Sequence, residues 1–248
     1  MQQLHTLFPT LVLEDGSFTL HEEMREVFWK NHSNHVYHDP NYPGYRGPDG
    51  YGRVLSHHDL DLEPLWHYII GQCKTYIDLL GVDPAQFIYS ITKGFVNVLD
   101  DGHGNPMHHH AETHLSYIYY INVPENVNQK LCFHDMRPRY EPWQGFSQST
   151  KTSPGWSAYQ GNWWPIEIKE NMCVILPGNL SHSVAYFDGD KDNRIDMVGR
   201  DPLKIDPNKL EDLKQSRISI VGDVLLTTIN TNEYPNALQP LQNWRHFS

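Results

Sequence analysis

Histidine is abundant and clustered in this sequence, with sixteen in 248 residues and groups at 32–38, 57–58 and 103–114. The densest group lies in NPMHHHAETHLSYIYYINVP, residues 105–124, where three imidazoles in a row lead into an aromatic, β-branched run. Side chains alternate along a strand, so residues i and i+2 share a face. His108 and His110 are therefore expected to point together toward one metal ion, with His109 turned away. If the strand runs on, Glu112 joins that face. A third ligand has to come from elsewhere in the chain. His182 in LPGNLSHSVAYF is the best candidate, because it follows a Pro-Gly turn and opens a β run.

Two ligands on one strand and one from a distant strand make a facial set with open positions. Non-haem Fe(II) oxygenases build that set from two histidines and a carboxylate, and the open positions take a bidentate co-substrate and dioxygen. The competing reading is a surface histidine cluster that picks up adventitious metal. A further element is Arg217 in SRISIVGDVLL, where Arg217 and Ser219 share one strand face and Ile218 and Ile220 the other. An arginine fork with a hydroxyl beside it, aimed into a β pocket, suits a carboxylate. A surface arginine on an edge strand is the alternative.

Helices and strands must position these groups. LHTLFPTLVLEDG reads as a short strand ending in a turn at Asp15-Gly16. TLHEEMREVFWKNH reads as a helix, and residues 33–56 as a loop dense in His, Asn, Pro, Gly and Tyr. DLEPLWHYIIGQCKTYIDLLGVD is the strongest helix, with Leu65, Tyr68, Ile69, Tyr76 and Leu79 along one side and Gly81 as its C-cap. After Pro84 the chain turns to β character, with strands expected in FIYSITKGFVNVL, HLSYIYYINV, KLCFHDM, SHSVAYF and RISIVGDVLLTTI. IEIKENMCVIL reads as a tight hairpin around Glu170-Asn171. Two helices followed by many short strands predict a mainly β fold, an antiparallel sandwich or jelly roll with flanking helices.

The whole of 1–248 is expected to form a single domain, with a helical part over 1–84 and an insertion over 188–216 that serves as a lid or an interface. A homodimer is compatible with such an interface. Hydrophobic residues make up 39% and aromatics 12%, enough for a sizeable core. No apolar run approaches the roughly 18 residues a membrane helix needs, and the start lacks a basic, apolar leader. A cytoplasmic location with no membrane partner is the expectation. The net charge of −11 argues against general nucleic-acid binding. Cys73, Cys132 and Cys173 show no Cys-x-x-Cys spacing and are expected to be reduced and buried.

In this order, the pieces LFPT, GRVLSHHDLDLEPLWHYI, NPMHHHAETHLSYIYYINVP, FHDMRP, ILPGNLSHSV and RISIVGDV resemble the 2-oxoglutarate/Fe(II)-dependent oxygenase superfamily. They are most similar to its bacterial and phage branch with a His-x-His metal strand. The resemblance implies a double-stranded β-helix, Fe(II) and 2-oxoglutarate as cofactors, and hydroxylation of a substrate with release of succinate and carbon dioxide. It also implies that the Arg-x-Ser strand, here Arg217 and Ser219, binds the distal carboxylate of 2-oxoglutarate. One of Tyr119 and Tyr120 is expected to face the pocket, and counting by twos from His108 and His110 makes it Tyr120 if no bulge intervenes.

Two departures from the superfamily pattern leave choices open. Most members carry His-x-Asp or His-x-Glu, so the metal set here is either His108, His110 and His182, or His110 and His182 with Glu112 as the carboxylate. The gap between His182 and Arg217 is also long, and Arg194 stands at a more ordinary distance. Its acidic surroundings favour Arg217. Trp143, Trp156, Trp163 and Trp164, with Tyr140 and Tyr159, form an aromatic stretch that either roofs the site or packs as core. The substrate is a protein side chain, a small metabolite or a nucleotide. A cupin-like three-histidine enzyme that does not use 2-oxoglutarate, or a non-catalytic metal-binding β-sandwich, are the competing functions.

Overall fold

The computed structural model describes residues 10–25, 36–38, 46–48, 62–99, 104–125, 128–136, 163–187, 194–195, 214–230, 238 and 240. Among these, the strands β1 (Leu13–Asp15), β2 (Val36–His38), β3 (Arg46–Pro48), β4 (Phe87–Leu99), β5 (Asn105–His108) and β6 (Leu115–Asn122) come first. They are followed by β7 (Gln129–His134), β8 (Trp163–Ile166), β9 (Cys173–Pro177), β10 (His182–Phe187), β11 (Arg194–Ile195) and β12 (Arg217–Thr228). Helix α1 spans Glu63–Leu79 and is joined to β4 through a 3₁₀ turn at Pro84–Gln86. Residues 22–25 are helical too, the described part of the first expected helix.

The strands form two antiparallel sheets. The larger has the order β1-β9-β6-β12-β4-β3-β2. The smaller has the order β11-β10-β7-β8, with β5 pairing β10. Pairing between strands distant in the chain is what closes a jelly roll, and β6 lies between β9 and β12 in this way.

The period-2 pattern decides what each face packs against. On β6, Leu115, Tyr117, Tyr119 and Ile121 face outward and join Leu65, Trp66, Ile69, Cys73, Tyr76 and Ile77 of α1 in one core. Ile118 and Tyr120 face inward and meet Leu131 and Phe133 of β7 and Ile166 of β8. Each fully buried aliphatic side chain contributes about 1.5–3 kcal/mol relative to exposure. Docking on the sheet therefore outweighs the marginal stability of a single isolated helix. Pro64 sits in the first turn of α1, and Gly81 ends it at φ 78°. Leu79, expected on the buried side, is 61% exposed, because the buried line runs through Leu65, Ile69, Cys73, Tyr76 and Ile77.

Two local expectations differ from the fold. Residues 33–56 contain the paired strands β2 and β3, which their Pro and Gly content masks in the sequence. The turn at Glu170-Asn171 exists, with Asn171 at φ 64°, but it does not close a hairpin. β8 pairs β7 in the small sheet, whereas β9 pairs β1 and β6 in the large one. The turn is a crossing between sheets, anchored where Asn171 Oδ1 accepts bonds from Arg25 Nη2 (2.7 Å) and Tyr119 Oη (3.1 Å). Local periodicity cannot distinguish a hairpin from a crossing.

Cys73, Cys132 and Cys173 are free and buried. Among the described residues, no helix is long and apolar enough to cross a membrane. The insertion over 188–216 lies outside the described residues except for 194–195 and 214–216, as do Trp143, Trp156, Tyr140 and Tyr159.

Candidate metal centre

The three histidines expected from the sequence come together, but not through strand alternation alone. β5 ends at His108, which stands opposite His182 in the antiparallel pair with β10. His110 lies beyond the strand end, in a loop laid over the β9–β10 turn. Its N–H donates to Gly178 O at 2.8 Å, and Gly178 N–H donates to His114 O at 3.0 Å. A Cβ at position 178 would stand 2.3 Å from Thr113 Cγ2, so only glycine lets the loop lie this close. Ring centroids are 4.4 Å apart for His108 and His182, 5.2 Å for His110 and His182, and 5.5 Å for His108 and His110. One nitrogen from each lies within 4.8 Å of the other two.

The orientation of each ring is set by the nitrogen that faces away. His108 Nδ1 donates to Pro106 O at 2.8 Å, and His182 Nδ1 donates to Leu180 O at 2.9 Å. His110 Nδ1 donates to the Asp223 carboxylate. Carbonyl and carboxylate oxygens only accept, so all three rings carry a proton on Nδ1, and Nε2 is the nitrogen left to face a ligand. His182 is buried, and that burial, with the neighbouring imidazoles, pushes its pKa down to about 3. A neutral ring with a free Nε2 is the metal-binding form.

Glu112 stands apart from this group. It is exposed, in a turn at φ 63°, two residues past His110. The alternation that would have placed it beside His108 and His110 ends with β5. The carboxylate that does reach the cluster is Asp223, which sequence reading missed. It lies on β12, opposite Ser116 of β6 and Lys93 of β4. Ser116 Oγ donates to it at 3.0 Å, and Lys93 Nζ lies 3.6 Å from its other oxygen. Burial would raise its pKa, but the bonds from His110 and Ser116 and the charge of Lys93 outweigh that and hold it below the usual value.

The second group lies further along the inner face of β12. Arg217, Ser219, Val221 and Asp223 alternate on that face. Six residues at about 3.3 Å each put Arg217 roughly 20 Å along the strand from Asp223. Arg217 is 1% exposed, donates from Nη2 to Tyr120 Oη at 3.1 Å, and lays its guanidinium over the Tyr120 ring. Its Nε and Nη1, together with Ser219 Oγ and Asn97 Oδ1, are buried without a hydrogen-bond partner. Ser219 stands opposite Asn97 on one side and Tyr120 on the other, so these groups form one polar row on the inner face. Leaving such a group unpaired costs about 1–3 kcal/mol, and more when it is charged. A carboxylate bound there would satisfy the guanidinium and the hydroxyl together. Arg194 is on β11, at the edge of the smaller sheet, paired with Phe187.

Convergent Nε2 atoms fit a divalent iron with open positions, and the unpaired row fits a dicarboxylate. The topology, two facing antiparallel sheets, is that of a jelly roll, the double-stranded β-helix. Residues 94–198 match the family described as "Putative 2OG-Fe(II) oxygenase". The matched segment contains the three histidines and Tyr120 and ends before Arg217. Over this segment, less than half of the chain, the sequence is similar to the 2OG-Fe(II) oxygenases. None of the curated proteins matches this sequence. The chain is similar in fold to the epimerase SnoN from nogalamycin biosynthesis, solved with Fe3+, alpha ketoglutarate and nogalamycin RO. Identity is 13%, coverage is 96% of this chain and 89% of that one, and the TM-score is 0.50. A second SnoN structure matches at 10% identity over 90% of this chain and 82% of that one, with TM-score 0.50. An oxidoreductase of the 2OG-Fe(II) oxygenase family from Burkholderia pseudomallei matches at 9% identity over 86% and 84%, with TM-score 0.47.

Proposed function

We propose that His108, His110 and His182 hold Fe(II), that Arg217, Ser219 and Tyr120 seat 2-oxoglutarate, and that the protein hydroxylates its substrate. The observation that carries this reading is the buried Arg217, with Nε and Nη1 unpaired, beside the unpaired Ser219 Oγ on the inner face of the sandwich whose rim carries three convergent histidines. A buried arginine with two orphaned nitrogens is costly in a finished core, and a bound carboxylate removes the cost.

Each residue has a defined task. The three imidazoles present Nε2 in fixed directions because their Nδ1 protons are already committed. Arg217 offers Nε and Nη1 to the distal carboxylate, and Tyr120 holds the guanidinium from the other side. Ser219 Oγ adds one more donor. The apolar inner face around Val221, Ile118 and Phe133 keeps water from the interior between the two groups. Iron, with 2-oxoglutarate and dioxygen, supplies oxidation of a substrate C–H bond while 2-oxoglutarate becomes succinate and carbon dioxide. The substrate is a protein side chain, a small metabolite or a nucleotide.

Anaerobic addition of Fe(II) and 2-oxoglutarate to the protein should give a weak visible charge-transfer band, and admission of air should form succinate. No band and no succinate would rule the reading out. Arg217→Ala should abolish 2-oxoglutarate binding while Arg194→Ala leaves it intact. The reverse result would move the carboxylate site to Arg194. Retained 2-oxoglutarate binding in both would favour an enzyme that does not use this co-substrate.

A further inference from the structure

We propose that Asp223 is a positioning residue that supplies the site's missing anionic charge through His110, in place of a carboxylate bound directly to the metal. The inference rests on the three-histidine ligand set proposed above. Three neutral imidazoles leave a divalent ion with its full charge, whereas two histidines and a carboxylate cancel part of it. The only carboxylate among the described residues that touches the cluster is Asp223, and it touches the wrong side for direct ligation. It bonds His110 at Nδ1, which leaves Nε2 as the ring nitrogen open to a metal.

The contact is built from the large sheet. Cross-strand register places Ser116, Asp223 and Lys93 side by side on β6, β12 and β4. Ser116 Oγ lies 3.0 Å from both His110 Nδ1 and Asp223 Oδ1 and donates to the carboxylate, so the Asp223 rotamer is fixed. Asp223 is 2% exposed, and its charge is therefore weakly screened. A carboxylate accepting from the far nitrogen of a ligating imidazole fixes the ring, fixes the tautomer and makes Nε2 a stronger donor. Lys93 Nζ, 3.6 Å from Oδ2, offsets part of that charge from the solvent side.

Two substitutions shift the charge at Asp223 in opposite directions. Asp223→Asn keeps the shape and removes the charge. Lys93→Met removes the partial neutralisation, at a largely exposed side chain whose ion pair adds little stability. The full-length chain, freed of metal, is titrated with Co(II), and the Fe(III)/Fe(II) midpoint potential of the iron-loaded protein is measured. Asp223→Asn is expected to weaken Co(II) binding about 10- to 100-fold, to shift the Co(II) visible bands and to raise the midpoint potential. Lys93→Met is expected to lower the potential. A structural role alone would not move the potential in opposite directions for the two variants.

Wild-type Co(II) affinity and an unmoved potential in Asp223→Asn would overturn the proposal. If that variant fails to fold, Lys93→Met decides: a lower potential supports the proposal and an unchanged one overturns it. His182→Ala separates this inference from the ligand assignment beneath it. Co(II) binding that survives His182→Ala overturns both. Binding lost in His182→Ala but unaltered in Asp223→Asn overturns only the role of Asp223.

Discussion

The two ends of the β12 inner face differ in how far the chain has completed them. At the histidine end, every ring has its outward nitrogen bonded to a carbonyl or to Asp223 before any metal arrives. At the arginine end, Arg217 has one donor satisfied by Tyr120 while Nε, Nη1 and the neighbouring Ser219 Oγ have no partner. The first end is preorganised by the protein alone. The second leaves donors open, as the proposed 2-oxoglutarate site requires. Metal binding should therefore depend on side chains the chain already holds in place, and 2-oxoglutarate binding should relieve a cost the empty protein carries.

The largest effect is expected from His182→Ala. It removes a buried imidazole proposed as a metal ligand, and Fe(II) or Co(II) affinity should fall by more than the roughly 100-fold that loss of a ring's supporting bond costs. A metal titration that matches wild type would break the preorganised side of the comparison.

Arg217→Met tests the other side. Loss of two charge-assisted bonds at about 1.5–3 kcal/mol each should weaken 2-oxoglutarate at least about 100-fold by calorimetry. The protein without ligand should be no less stable than wild type, because an incompletely paired buried charge is replaced by an apolar chain of similar length. In wild type, 2-oxoglutarate at 100 times its Kd should add about 2.7 kcal/mol. That is a thermal shift of about 5–10 °C for a chain of this size. The shift should vanish in Arg217→Met. A ligand-free Arg217→Met protein with a much lower Tm would show that the arginine end is already satisfied.

A strand shared by both ends should transmit damage to both. Gly222 precedes Asp223 and packs under Tyr117, where a Cβ would lie 2.5 Å from the ring and 2.2 Å from Lys93 O. Gly222→Ala is expected to cost about 1–3 kcal/mol of stability and to lower Tm by about 2–4 °C for each of those. Calorimetry with an unchanged Tm would show that Tyr117 has room to move.

Smaller effects sharpen the assignment. Tyr120→Phe removes one bond to Arg217 and should weaken 2-oxoglutarate about 3- to 10-fold with metal affinity unchanged. Glu112→Ala should leave metal affinity within about 2-fold of wild type, since the residue is exposed in a turn away from the cluster. A loss of binding in Glu112→Ala would restore the carboxylate to the ligand set.

Much of this was legible in the chain. The strands around FIYSITKGFVNVL, LSYIYYIN and RISIVGDVLLTT announce themselves by composition, and α1 by its apolar spacing. That Arg217 and Ser219 share a face follows from alternation along one strand, which is local; that the face is buried does not. Alternation puts Tyr119 and Tyr120 on opposite faces, but which of them faces inward is decided by the pairing of β6 with β12. What failed was each inference that extended a local pattern past its end. Alternation predicted that Glu112 would join His108 and His110, but β5 stops at His108 and a turn follows. A turn between two strands suggested a hairpin at Asn171, but the strands belong to different sheets.

The sequence by itself determined which chemistries the protein carries: imidazoles in a His-x-His run, a distant histidine at a strand mouth, and an arginine with a hydroxyl on one strand face. The tertiary structure decided which of them meet. His110 and Asp223 are 113 residues apart, and no periodicity connects them. Their contact exists because β12 inserts between β4 and β6, so its register sets Asp223 against Ser116 beneath the histidine loop. Pairing across sheets depends on the folding of the whole chain, whereas alternation depends only on the geometry of a single strand.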